Sequence, residues 1–373
     1  MKIAVNIRPL FKNNAGSLFL NECIQRIAAN YPAHDFIIIT DRQLGESIAS
    51  LKNISSVILD TKITNPLLAK LWYNYKLPAL AKKHKANILI NGDGICSLRT
   101  KIPQLLIVQR LGFLHSPKFV SKKELRLYKK NTEPSLKKAR TILTTSQSVK
   151  KDIIEQYKIN EDKIDVANTG INQLFKPIDW KEKETIKEKY SEGKEFFLFY
   201  GSLEAVDNLI TLLKAFSFFK KRQKSNMQLI IAINELPKKE SFTESLKTYK
   251  YRNEVKLLQN LSEEERAKIT AAAYAFVYPS YQEDAAATLL EPLRCEVPVI
   301  ISDNVVFYET CADAALYVNP NQQEDIADKL MLVFKDEKKR SELIEKGKEI
   351  SGQYSWDKTA AVVWEAILKT VQE

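Results

Sequence analysis

Apolar stretches of strand length alternate along this chain with segments whose apolar positions recur every three or four residues. KIAVNI (2–7), DFIIIT (35–40), NISSVIL (53–59), NILIN (87–91), QLLIVQ (104–109) and TILTTS (141–146) are strand candidates in the first half. FFLFYGS (196–202), MQLIIAI (227–233), AFVYPS (275–280), VPVIISD (297–303) and ALYVNP (315–320) follow in the second. Between them, residues 17–31, 149–158, 208–223, 262–275 and a long segment 324–350 carry helical patterns. Strands that are apolar on both faces and separated by helices form parallel sheets covered on both sides. The β–α order runs through twice, which predicts an α/β protein of two doubly wound domains.

The boundary falls near NTGINQLFKPIDWKEKE (168–184), where a Gly-Ile-Asn turn, a proline and a charged stretch leave no room for a strand. The pattern therefore predicts a first domain over 1–175 and a second over 176–355. The tail 356–373 then forms a final amphipathic helix packing back toward the first domain. Ser355 is its N-cap candidate, and Ala360, Val363, Trp364 and Ile367 form one stripe.

Composition narrows the partners. The chain of 373 residues is 45% hydrophobic and 28% charged, values of a globular protein. No apolar run reaches membrane-spanning length, and MKIAVNIRPLF reads as a first strand rather than a signal peptide. Four scattered cysteines (Cys23, Cys96, Cys295, Cys311) predict neither a zinc site nor a disulfide framework, and a reducing cytoplasm is the expected compartment. The net charge of +11 is uneven: residues 1–175 hold 28 Lys+Arg against 13 Asp+Glu, a balance of +15, and the remainder holds 29 against 33, a balance of −4. The basic half suits an anionic surface or an acidic substrate.

The candidate chemistry sits in YQEDAAATLLEPLRCEVPVI, residues 281–300, after the strand that ends at Pro279. Ligands bind at the carboxyl ends of strands in open α/β sheets. Glu283 precedes a helix expected to begin near Ala285, and Glu291 lies two turns on, roughly 12 Å along the axis. The two carboxylates cannot share a proton at that separation. They can grip one extended ligand at two points, with the free N–H groups of the helix start holding phosphate oxygens between them. Ala286, Ala287 and Thr288 are small enough to let such a ligand approach. Glutamates near a helix start are also ordinary dipole chemistry. Glu291 is the unusual member, because Leu289, Leu290 and Leu293 surround it.

With its surroundings, VYPSYQEDAAATLLEPLRCEVPVIIS (277–302) resembles the group 1 (family 4) glycosyltransferases of GT-B fold. Residues 141–172, 196–216, 314–330 and 353–360 resemble further segments of that family, in the same order along the chain. The resemblance implies two Rossmann-like domains facing across a cleft, and hexosyl transfer from a nucleotide-diphosphate sugar to a carbohydrate or lipid-linked acceptor. It implies retention of configuration, no cofactor and no obligatory metal. Glu291 would hold the nucleotide ribose and Glu283 would face the donor sugar. Gly201, Ser202, Asp284, Ala286 and Ala287 would lie along the diphosphate, and Gly16 and Gln109 would lie on the acceptor side.

Three positions depart from the family pattern. Asp207 stands in GSLEAVDN (201–208) where the family has lysine, which reverses an attraction to the diphosphate and removes a few kcal/mol of leaving-group stabilisation. Asp284, Ala285 and Ala286 replace Gly-Phe-Gly, and Gln109 and Arg110 replace a His-Asp pair. Only Gly16 is left of the first glycine-rich loop, NNAGS (13–17). Two readings follow: an enzyme in which Arg110 or a first-domain lysine restores the missing charge, or a catalytically impaired relative that serves as a binding or scaffold partner.

Other features carry less. His115, His34 and His84 read as surface or helix-end residues, and Asn91–Gly94 as a turn using glycine's positive φ. Lys118–Arg140 holds nine basic and two acidic residues. It is either a solvated face or a segment drawn to an anionic membrane, which would place the protein on the membrane's inner face. Nucleic acid is not an expected partner, since the segment has few aromatics and no nucleic-acid motif.

Overall fold

Thirteen strands form two sheets in the computed structural model, which describes residues 1–8, 15–59, 63, 65–109, 111–115, 117–201, 208–233, 241–281 and 287–372. The side chains at 15–17, 241, 243, 245 and 287 are outside that description. The described residues cluster into two units, Met1–Gly170 with Ser355–Glu373, and Ile171–Tyr354.

In the first unit the strands are β1 (Lys2–Asn6), β2 (Asp35–Thr40), β3 (Ile54–Ile58), β4 (Ile88–Asn91), β5 (Gln104–Val108), β6 (Thr141–Thr144) and β7 (Ile164–Val166). They lie in the order β3-β2-β1-β4-β5-β6-β7, every pair parallel. The second unit holds β8 (Phe196–Gly201), β9 (Gln228–Ile233), β10 (Val255–Gln259), β11 (Ala275–Tyr278), β12 (Val299–Ser302) and β13 (Ala315–Val318). Their order is β10-β9-β8-β11-β12-β13, again all parallel. Each unit is a Rossmann-like doubly wound sheet, the class expected from strands apolar on both faces. Every residue of β4, β5, β6, β9, β11 and β12 is buried.

Two strands escape the sequence pattern, β7 (IDV) and β10 (VKLLQ), and each lies at the edge of its sheet. An edge strand buries only part of its surface, so its apolar run is shorter and mixed with polar residues. The long helical segment 324–350 is two helices, Gln323–Lys335 and Glu337–Gly352. The break is made by Asp336, whose carboxylate accepts the Lys339 N–H at 2.8 Å and caps the second helix.

The final helix, Trp356–Gln372, belongs to the first unit. The Ser355 hydroxyl accepts the Asp357 N–H at 3.2 Å. Ala360, Val363, Trp364 and Ile367 are all buried, in one cluster with Phe19 and Ile24 of the helix Ala15–Asn30. Trp356 meets Phe19 edge to face at 5.9 Å, and Trp364 stacks on Tyr31 at 4.1 Å. Gly170 allows the close approach of this helix start, since a Cβ there would lie 2.3 Å from the Trp356 backbone nitrogen.

A methyl group at Gly170 can be accommodated only by moving backbone. Gly170→Ala should therefore destabilise the first unit by about 2 kcal/mol or more, read as a lowered denaturant midpoint. An unchanged midpoint would show that the helix start yields freely.

Candidate functional site

The carboxyl ends of the second sheet gather most of the candidate residues. β8 ends at Gly201, which pairs with Ile233. The following described residue, Asn208, takes a left-handed conformation (φ 59°, ψ 30°) that asparagine tolerates better than most residues. Its buried side-chain N–H groups donate to the carbonyls of Pro279 at 3.0 Å and Pro320 at 2.6 Å. One amide thus ties the segments that follow β8, β11 and β13. Ser280, next to Pro279, is fully buried.

Glu291 lies on the helix Ala287–Arg294, with Leu289, Leu290 and Leu293 buried around it. The helix runs through Pro292, so one backbone hydrogen bond is absent there, as the proline ring requires. The Glu291 carboxylate is held by Arg266 of the helix Glu263–Ala272. Nη1 donates to Oε2 at 2.9 Å and Nη2 to Oε1 at 3.1 Å, a bidentate pairing. The guanidinium is itself clasped by two rings, 4.7 Å from the centre of Phe175 and 4.7 Å from that of Tyr200. Tyr200 is the penultimate residue of β8, so the pair abuts that strand's carboxyl end. Glu263 stands 3.9 Å from Arg266 and accepts the Asn172 side-chain N–H at 2.9 Å.

Burial pushes the Glu291 carboxyl up to about 7, and the facing guanidinium pulls it back. The charged and neutral forms are therefore nearly balanced around neutral pH. Burial, with the Glu291 charge adding to it, also pushes the Cys295 thiol up to about 12, so that thiol is unreactive. About 12% of the Glu291 side chain remains exposed, enough for a ligand hydroxyl to reach its free lone pairs. Each oxygen receives one guanidinium N–H and can accept another donor. The arrangement suits a pair of neighbouring hydroxyls.

Several expected residues fall elsewhere. Ser202, Asp207, Glu283, Asp284, Ala285, Ala286 and Arg110 lie outside the described residues, and Ala287 opens the helix that carries Glu291. Gly16 and Gln109 are in the first unit. Gly16 sits in the first turn of the helix Ala15–Asn30, and the Gln109 carbonyl accepts the Thr145 hydroxyl at 3.1 Å. His115 is exposed and lies 2.7 Å from the Asp152 carboxylate. Gly94 has the positive φ, 69°, expected of the Asn91–Gly94 turn. All four cysteines are buried and none forms a disulfide. Among the described residues no helix is long and apolar enough to cross a membrane.

Arg266 was not among the sequence candidates, because SEEER reads as a charged helix entry. A signal was present. Arg266, Ile269, Thr270 and Ala273 recur at helical spacing, and the last three are buried, so Arg266 shares the inward face.

The pair yields a stability prediction. Below about pH 7 Glu291 is protonated in the folded protein whether or not Arg266 is present, so the charge–charge part of the loss is silent. Above it the wild-type pair is charged, whereas Arg266→Ala leaves burial to keep Glu291 protonated, so the variant's deficit should grow with pH by up to about 1.4 kcal/mol per unit. Denaturant midpoints of the two proteins at pH 5.5 and 8.5 should thus diverge at the higher pH, by up to about 2 kcal/mol in unfolding free energy. A difference independent of pH would contradict the pairing.

Comparison with known proteins bears on the fold and on the family resemblance. Residues 181–350 match the family model of glycosyl transferases group 1, a span that includes β8 to β13, Arg266 and Glu291. The O-antigen chain mannosyltransferase RfbU of Salmonella typhimurium is 27% identical over 290 residues, 76% of this chain and 75% of that protein. Among solved structures, WaaG, a glycosyltransferase involved in lipopolysaccharide biosynthesis, superposes with a TM-score of 0.77 at 16% identity, covering 98% of this chain and 99% of its own. Anabaena Alr3699/HepE in complex with UDP and glucose does so with 0.75 at 14% identity, covering 99% of each chain. Across 181–350 this chain is similar to the group 1 glycosyl transferases, and over nearly its whole length it has the GT-B fold of solved glycosyltransferases.

Proposed function

We propose that this protein transfers a hexose from a nucleotide-diphosphate sugar to a carbohydrate or lipid-linked acceptor. In this reading transfer retains anomeric configuration and needs no metal. The observation that carries the reading is the Glu291–Arg266 pair, a carboxylate held in one orientation at the carboxyl edge of a parallel sheet. It supports Glu291 as the acceptor for the ribose hydroxyls of the donor. Glu283 would face the sugar. Gly201, Ser202, Asp284 and the helix start at Ala286 and Ala287 would follow the diphosphate.

The acidic Asp207 and Asp284 leave a charge to be balanced when the diphosphate departs. Arg110, with Gln109 and Gly16 on the acceptor side, is the residue we assign to that task, by electrostatic stabilisation of the leaving group. The relative RfbU is an O-antigen chain mannosyltransferase, so mannose-bearing donors head the panel to be tested. The basic segment 118–140 would face an acidic acceptor or the anionic inner face of a membrane.

Calorimetric titration with UDP, GDP and ADP and their sugars tests the donor reading. One nucleotide should bind saturably, and Glu291→Ala should weaken it by roughly 10- to 100-fold, the worth of hydrogen bonds to a charged acceptor. Absence of binding by every nucleotide would overturn transfer and leave the scaffold reading. Because the ionised carboxylate is the stronger acceptor, affinity should rise with pH through about 7. In Arg266→Leu the rise should move to higher pH, since the charge that favours ionisation is gone. An affinity flat from pH 6 to 8 would remove Glu291 from the ligand contact.

A further inference from the structure

Residues 66–83 of the first unit form one continuous helical run: Pro66–Leu71, a π turn at Trp72–Lys76, and Leu77–Lys83. The run is apolar on two sides. Ala69, Trp72, Tyr73, Leu77 and Ala81 face the core and are buried with Ile37, Ile39 and Leu89. Leu67, Leu71 and Tyr75 recur every four residues on the other side and are 67%, 45% and 48% exposed, with Leu68 beside them at 41%. Leu98 joins this face, 40% exposed, its N–H donating to the Asn74 side chain at 2.9 Å. Five of the fourteen large hydrophobic residues exposed among the described ones therefore fall in one place. A contiguous patch of this kind marks an interaction surface, whereas single exposed leucines do not.

The charge around the patch is of one sign. The run 66–83 contains Lys70, Lys76, Lys82 and Lys83 and no acidic residue. The Arg99 guanidinium lies over the Tyr75 ring at 4.7 Å. The basic helix Lys122–Lys138 packs alongside: Leu127 shares the core cluster of Trp72 and Tyr73, and Lys70, Leu98, Leu127 and Asn131 border one shallow crevice. Lys123 and Lys130, both exposed, lie one turn to either side of Leu127. Leucines and a tyrosine ringed by lysine and arginine suit an anionic bilayer, where apolar side chains enter the headgroup boundary and cations meet lipid phosphates. Tyrosine favours the same interface. A soluble acidic protein would meet the cations and leave four leucines without an apolar counterpart.

We propose that the 66–76 face, with Leu98, is a membrane-docking surface that inserts its leucines into anionic lipid. This rests on the reading of 118–140 as a segment drawn to anionic surfaces, and adds an apolar anchor to it. Flotation of the full chain with vesicles of phosphatidylcholine and phosphatidylglycerol in equal amounts, and with phosphatidylcholine alone, is the test. The wild type should float with the anionic vesicles and keep part of its binding in high salt. The double variant Leu67→Ser, Leu71→Ser should partition about ten-fold less, with a residue of binding that high salt removes. Both leucines are exposed, and an unchanged melting curve confirms the variant's fold. If the double variant floats like the wild type while Lys122, Lys123, Lys129 and Lys130→Gln abolishes flotation, insertion is wrong and the basic-segment reading stands. If the wild type does not float, the inference fails; a dimer in sedimentation that the leucine variant breaks would then make the face a self-interface. Nucleotide binding by the variant, measured by calorimetry, should equal the wild type's, which separates this inference from the donor reading.

Discussion

All strands in both sheets run parallel, and the central strands are buried on both faces. That constraint decides where polar chemistry can sit. Strand interiors must be apolar, so β9, β11 and β12 are buried throughout. Polar side chains that serve a ligand are pushed to the strand ends, where the chain turns into the next helix. In the second unit the carboxyl ends of β8 and β11 accordingly carry the tethering amide of Asn208 and the clasped Arg266–Glu291 pair.

Within that frame Arg266 has more than one partner, and the combination explains its fixed position. Two carboxylate oxygens, two aromatic faces and the nearby Glu263 surround a planar cation whose geometry matches each of them. A lysine would offer neither the fork nor the flat face. The carboxylate gains a definite orientation at the cost of burial, and this balance puts its ionisation near neutrality rather than in the usual carboxylate range. The same buried charge would be a liability in a purely structural role, since a hydrophobic pair of equal volume commonly packs as well. Its placement at a strand's carboxyl end is what favours a ligand.

Much of the fold was legible in the chain because central parallel strands need uninterrupted apolar runs, such as FFLFYG and QLIIAI. Legibility fell off at the edges. IDV and VKLLQ bury only part of their surface and so carry no such run, and a helix break made by one aspartate, Asp336, is invisible to periodicity. The oddity of Glu291 among leucines was readable, and the structure puts it in a buried ion pair. Its partner was not readable as one, because 25 residues separate Arg266 from Glu291 and only folding brings the two helices together. The outward leucines of 66–76 were hidden for the opposite reason. Apolar residues on a short helix read as core until the structure shows that the core is already filled by Ala69, Trp72 and Tyr73.

The central claim is that Arg266 aims the Glu291 carboxylate at the ribose of a nucleotide sugar. Saturation-transfer NMR on the full chain, with a set of nucleotide sugars presented one at a time, addresses it directly. For the donor that binds, the ribose protons should receive the strongest saturation, and that enhancement should vanish in Glu291→Gln while the base protons still respond. Strong saturation confined to the base or the hexose, unchanged by Glu291→Gln, would contradict the account.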